Sequence, residues 1–204
     1  IIENFKSQTW IKAGYAWYAP NFFEKHGITT KSRMDTFNKY RKNIEIDLTE
    51  IISLMKSDPK IDDKNIFAIG FSNGGFWATF LAGKGLVTAG SSHYGVWKAC
   101  FGRSMCKHSY PMDYLSSGSN PLLALHGAKD GTQRIKFYKK AWNKIKNTPK
   151  IEQHVYKNGG HVWDCFPDIA RLKKICDKKF DGASREITDD AFKRTLAFFK
   201  KHTK

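Results

Sequence analysis

Ser72 stands in Gly70-Phe71-Ser72-Asn73-Gly74, a Gly-x-Ser-x-Gly spacing. A short apolar run, Ile66-Phe67-Ala68-Ile69, precedes it, and Phe76-Trp77-Ala78-Thr79-Phe80-Leu81-Ala82 can form a helix after it. Strand, tight turn and helix are the context in which this spacing becomes a nucleophile elbow. The turn is sharp and strained, so the residues beside the serine must be small for the backbone to pass closely. The hydroxyl is then expected to point out at the carboxyl end of a sheet. The backbone N–H of Asn73, at a helix N-terminus, would face the place where an oxyanion forms. The spacing alone is a weak signal, because Ser and Gly turns between strand and helix occur in many α/β folds. The chemistry needs partners.

A serine hydroxyl is a poor nucleophile unless a base takes its proton. The chain has seven histidines. His161 is the best placed, in Lys157-Asn158-Gly159-Gly160-His161 just past a predicted strand over 151–156. It leaves the sheet at the same end as Ser72, and the two glycines allow a tight loop that aims the imidazole. His26 and His202 lie in polar stretches and His154 lies inside a strand. His93 and His126 sit near strand ends, as candidate site-lining residues. The base needs an acid to fix its tautomer and stabilise imidazolium. Asp130, in His126-Gly127-Ala128-Lys129-Asp130-Gly131, follows a predicted strand over 122–126 directly. Asp-Gly is also a common turn pair, but the order Ser, Asp, His is the one the α/β-hydrolase topology uses. Asp164 is the weaker alternative, being too close to His161 in sequence.

The elements that must hold these residues alternate between strand and helix, which predicts a mostly parallel sheet. Residues 3–12 read as the end of a helix closed by Gly14. Tyr15–Ala19 reads as a short aromatic strand stopped by Pro20. A helix is expected from about Phe37 to Lys56, where Ile44, Leu48, Ile51, Ile52 and Met55 form one buried stripe. The nucleophile strand follows. Further strands are expected over 86–92, 121–127 and 151–156, with a helix over about 133–146. A last helix, capped by Asp189 or Asp190, would turn Phe192, Leu196 and Phe199 to the core. Residues 21–38, 94–119 and 164–187 read as long excursions that shape a pocket.

The chain has 204 residues, enough for one domain with a substantial core. Its net charge is +16, from 35 Lys and Arg against 19 Asp and Glu. Such a surplus can attract nucleic acid or anionic surfaces. The lysines are scattered, however, with no basic stripe interleaved with aromatics, so no nucleic-acid partner is expected. No apolar run is long enough to span a bilayer. Cys100, Cys106, Cys165 and Cys176 fall in two local pairs outside the predicted strands. That suits disulfides and a periplasmic or secreted location, which we favour slightly over a cytoplasmic one, and it equally suits four free thiols. No Cys-x-x-Cys spacing suggests zinc.

Ala13-Gly14-Tyr15-Ala16-Trp17-Tyr18-Ala19-Pro20, the elbow, His126-Gly127-Ala128-Lys129-Asp130 and Gly159-Gly160-His161 together resemble the dienelactone hydrolase-like branch of the α/β-hydrolase superfamily. The resemblance implies an α/β-hydrolase fold over residues 1–204 as a single domain. It also implies a cofactor-free, metal-free hydrolase of esters, lactones or related small-molecule acyl substrates. The founding enzymes of the branch carry cysteine as nucleophile, and Ser72 here points to a serine esterase mechanism. A superfamily peptidase, a thioesterase and a non-catalytic anion-binding protein on the same fold are the alternatives. The resemblance also implies an earlier strand and a His-Gly loop supplying a second oxyanion N–H. Nothing before Gly14 reads as either, and the chain opens on Ile1. The fold is therefore expected to lack its N-terminal strands, and the chain to be the later part of a longer protein.

Overall fold

The computed structural model describes residues 7–99, 110–145, 150–164 and 184–204. All four cysteines, and residues 100–109 and 165–183 of the excursions expected over 94–119 and 164–187, lie outside the described residues.

Four strands form one sheet: β1 (Phe67–Phe71), β2 (Ala89–His93), β3 (Leu122–Gly127) and β4 (Ile151–Tyr156). Their spatial order follows the sequence, β1-β2-β3-β4, and every neighbouring pair is parallel. A parallel neighbour needs a crossover. Helix α4 (Asn73–Gly83) links β1 to β2, and α5 (Ile135–Ile145) links β3 to β4. α1 (Ser7–Lys12), α2 (Phe22–Lys25) and α3 (Arg41–Ser57) precede the sheet, and α6 (Arg185–His202) closes the described chain.

Side chains alternate across the sheet and split the core in two. Leu122 and Ala124 join the residues of α3, α4 and α5 on one side. Leu123 and Leu125 join Trp10 of α1 and Phe198 and Phe199 of α6 on the other. On α3 the expected stripe is present: Ile44, Leu48 and Ile52 are buried. Asp47 is buried on the same helix because it accepts from Lys25 Nζ at 2.6 Å and contacts His26 Nε2 at 2.6 Å. α4 runs close over β2, where a Cβ on Gly90 would meet Ala78 O at 2.9 Å.

Three expectations need correction. Tyr15–Ala19 is not a strand; it is irregular, and among the described residues no strand pairs with it. Residues 21–38 are not irregular throughout, since they hold α2 and a 3₁₀ turn, Arg33–Phe37, which buries Thr36 and Phe37. The last helix starts a turn before Asp189: Ser184 is the cap, its Oγ accepting from Ile187 N at 3.2 Å. A serine there satisfies one of the orphan N–H groups of the first turn.

His93 is fully buried where β2 meets α6, its Nε2 3.1 Å from Ser91 Oγ and 3.0 Å from Thr195 Oγ1. Burial pushes its pKa down to about 3. The folded protein keeps this ring neutral while the unfolded chain protonates it near pH 6.5. Stability is therefore lost as pH falls from about 6.5 toward about 3, by up to about 1.4 kcal/mol per pH unit. Urea unfolding between pH 7 and pH 4 should show this fall, and His93→Gln should make it shallower, with the buried His126 contributing what remains. An unchanged slope in the variant would contradict a neutral buried His93.

Candidate active site

Ser72 follows β1 directly and caps α4. Its backbone sits at φ 50°, ψ −109°, which a residue with a side chain adopts only when its surroundings force it. The forcing is visible. A Cβ on Gly70 would lie 1.9 Å from Gly74 O, and one on Gly75 would lie 2.6 Å from Gly95 Cα. Backbone passes backbone there with no room for a methyl group. Hydrogen bonds fix the same turn: Ser72 N donates to His93 O at 3.1 Å, and Val96 N donates to Ser72 O at 3.1 Å. Asn73 is the first residue of α4, so its N–H has no acceptor within the helix. Its side-chain Nδ2 donates to Thr36 Oγ1 at 2.9 Å and so ties the elbow to the 3₁₀ turn.

His161 arrives from the loop after β4, with Nε2 2.9 Å from Ser72 Oγ. Its Nδ1 lies 2.8 Å from Asp130 Oδ2. Asp130, in the loop after β3, is held by its other oxygen, which accepts from Thr132 N at 2.8 Å and Gln133 N at 2.7 Å. The two loops are laced together, with Ala128 N donating to Tyr156 O and Lys129 N to Gly159 O, both at 2.9 Å. Glycine is needed at the lacing point, where a Cβ on Gly127 would lie 2.4 Å from Gly159 O. His161 and Asp130 are 5% and 3% exposed, so the pair meets in a nearly dry site. Low local dielectric strengthens such a pair.

Among the described residues four non-glycines have positive φ, and three of them are Ser72, Tyr94 and Val162 around this site. Tyr94 packs edge-on to the His161 ring at 5.1 Å, and its hydroxyl donates to Asp164 Oδ1 at 2.6 Å. Burial raises the Asp164 carboxyl above the usual carboxylate range, while the Tyr94 bond pulls the other way. Asp164 therefore faces Tyr94, and the imidazole Nδ1 faces Asp130. His93 and His126, read as candidate site-lining residues, are both fully buried in the core. His126 Nε2 lies 2.8 Å from Gln133 O, and burial lowers its pKa to about 4. Sequence reasoning missed two holding residues. Gln133 Oε1 accepts from Trp97 N at 2.9 Å and Lys98 N at 3.1 Å, clasping the loop after β2 to the Asp130 loop. Tyr94 is the other, and its place directly after β2 was the available signal.

Among the described residues no group of three or more His, Cys, Asp or Glu could hold a metal ion. No described helix is long and apolar enough to cross a membrane.

A parallel sheet between helix layers, with a serine elbow and histidine and aspartate loops at one end, is the architecture of an α/β hydrolase. Solved structures bear out the fold. An α/β hydrolase enzyme from a Medee basin deep-sea metagenome library shares it with TM-score 0.58 at 19% identity, over 76% of this chain and 64% of that one. A Klebsiella pneumoniae protein assigned as a dienelactone hydrolase gives 0.56 at 21%, over 78% of this chain and 60% of that one. An esterase from Pyrococcus furiosus gives 0.58 at 15%, over 83% of this chain and 65% of that one. The chain thus spans less than two thirds of the length of each. No curated protein matches it. The chain belongs to the dienelactone hydrolase family, whose model matches residues 2–203.

Gly70→Ala should lower the urea midpoint by the equivalent of roughly 3 kcal/mol or more, or prevent folding. Gly131→Ala is the control, because a Cβ there meets nothing within 4 Å. Equal tolerance of both would contradict the close backbone passage at the elbow.

Proposed function

We propose that this chain carries the acyl-transfer centre of a serine hydrolase acting on carboxylic esters, lactones or related small-molecule acyl substrates. One observation carries the reading: the imidazole of His161 stands between Ser72 Oγ at 2.9 Å and Asp130 Oδ2 at 2.8 Å. Ser72 Oγ attacks the acyl carbon as its proton passes to His161 Nε2. Asp130 holds Nδ1–H and stabilises the imidazolium. The carbonyl oxygen takes up the negative charge, toward the Asn73 N–H. Collapse breaks the bond to the leaving alcohol, which receives the proton from His161. Water then gives a proton to His161 and adds to the acyl carbon, and Ser72 Oγ leaves with that proton returned.

Family membership and the Pyrococcus furiosus esterase among the structural neighbours support an ester as the substrate class. No cofactor enters the reaction. One N–H from Asn73 is a sparse oxyanion site, since removing a single donor elsewhere costs about a hundredfold to a thousandfold in turnover. We further propose that residues 1–204 are the later part of a longer single-domain protein and that turnover is higher in the intact product.

Hydrolysis of a panel of p-nitrophenyl esters tests the roles. Ser72→Ala should fall to background, a loss on the order of a millionfold in kcat in a fully assembled site. Asp130→Asn should lose on the order of ten thousandfold, with the fold retained by circular dichroism. Ester cleavage surviving in Ser72→Ala would overturn the assignment.

A further inference from the structure

Charge is not spread evenly over the fold. From Gly131 to Ile151 the sequence holds no Asp or Glu, while it holds Arg134, Lys136, Lys139, Lys140, Lys144 and Lys150. All of these residues are exposed. The two longer helices are mixed in sign: α3 carries Glu45, Asp47 and Glu50 beside its cations, and α6 carries Glu186, Asp189 and Asp190. Lysines that are scattered along the sequence are thus gathered by folding onto α5 without acids among them. The carboxylates that bracket the stretch are engaged elsewhere. Asp130 meets His161 at 2.8 Å, and Glu152 meets Lys201 Nζ at 2.6 Å. Among the described residues no carboxylate pairs with the cations between them.

Their spacing makes one surface. Lys136, Lys140 and Lys144 recur at four-residue steps and Lys139 stands three after Lys136, so all four share one face of α5. Tyr138, Ala141 and Ile145 are buried on the opposite face. Phe137 and Trp142, both half-buried, border the cationic face on its two sides. Lys98 Nζ and Lys136 Nζ lie 5.3 Å and 5.5 Å from the centre of the Phe137 ring, and Lys144 Nζ lies 5.7 Å from that of Tyr110. Like charges four apart on a helix repel one another. Their Cβ atoms are about 6 Å apart, inside a Debye length of about 8 Å, so the face acts as a single patch of charge. The free protein gains nothing from that repulsion, and an anionic partner would relieve it.

The chemistry of the face selects the anion. All but Arg134 of the exposed cations are lysines. A lysine is a point charge on a flexible stem, suited to a diffuse array of anions, whereas the arginine fork suits directed phosphate contacts. A single-stranded nucleic acid would need open aromatic faces on which its bases stack. Here the Phe137 ring has two lysines over it, and Trp142 stacks on Tyr138 at 6.3 Å. Lysines along one face with aromatics half-sunk at its borders are instead the pattern of a helix that lies on an anionic bilayer. We infer that α5 docks the protein peripherally on an anionic phospholipid bilayer, with Lys136, Lys139, Lys140 and Lys144 against the headgroups. α5 starts at the end of the sheet that carries Ser72, and Lys98 belongs to the loop that Gln133 clasps, so the docked face begins beside the proposed site. The surface does not depend on acyl transfer at Ser72.

Sedimentation of the intact gene product with vesicles tests the inference. The vesicles are phosphatidylcholine alone or with about one third phosphatidylglycerol, at about 0.05 M and 0.5 M salt. Binding is expected to the anionic vesicles only, and to be lost at the higher salt. The triple variant Lys136→Gln, Lys140→Gln, Lys144→Gln should bind about a hundredfold more weakly, at roughly fivefold per cation. Lys56→Gln, Lys60→Gln, Lys64→Gln removes the same charge from exposed sites off this face, and should bind within about threefold of the parent. Circular dichroism checks that both variants fold. No binding to anionic vesicles would overturn the inference, and so would equal losses in the two triple variants, which would mean bulk charge rather than this face. A single-stranded oligonucleotide that strips the protein from the vesicles and itself needs the α5 lysines would overturn it in favour of a nucleic-acid surface. Ser72→Ala should bind the vesicles as the parent does, so that docking and the acyl-transfer reading fail separately.

Discussion

The passage of backbone against backbone at the end of β1 is the constraint on which the rest depends. Gly70 lies so close to Gly74, and Gly75 to Gly95, that no side chain fits between them. That closeness holds Ser72 at φ 50° and lifts its hydroxyl off the end of the sheet. The conformation is costly, of order 1–3 kcal/mol for such a residue, and the packing of α4 over β1 and β2 must offset it. Everything else at the site meets this fixed point: the loop after β2 bonds to it, and the loops after β3 and β4 bring Asp130 and His161 to it.

The loops gain their rigidity from backbone and buried polar contacts, not from apolar packing alone. Asp130 is locked by two backbone N–H groups before it meets the imidazole. Gln133 clasps the loop after β2, and Tyr94 reaches Asp164 behind His161. Two further histidines are buried behind the sheet end with lowered pKa values, and their Nε2 atoms bond to Ser91, Thr195 and the Gln133 carbonyl rather than to Ser72. The site is thus one polar network whose members come from the ends of four parallel strands.

Much of this was legible in the sequence because it is written in local pattern. The elbow glycines, the apolar strand before them and the 3.6-residue stripe of α3 each leave a signature over a few residues. The positions of Asp130 and His161 followed from their places after predicted strands. Tyr15–Ala19 was misread because its aromatic composition suits a strand, while strand formation needs a neighbour that composition does not report. The cap at Ser184 was missed in favour of two aspartates a turn later, which shows how weakly a cap is marked where several cap-formers follow one another. Gln133 and Thr36 act through tertiary contacts across the sheet end, and no spacing along the chain announces them.

The most direct measurement of the central claim is labelling with a fluorophosphonate probe, with the modified peptide mapped by mass spectrometry. An activated serine at the elbow predicts covalent phosphonylation at Ser72, abolished in His161→Ala while the fold is retained. Absence of label on Ser72 both in this chain and in the intact gene product would contradict it.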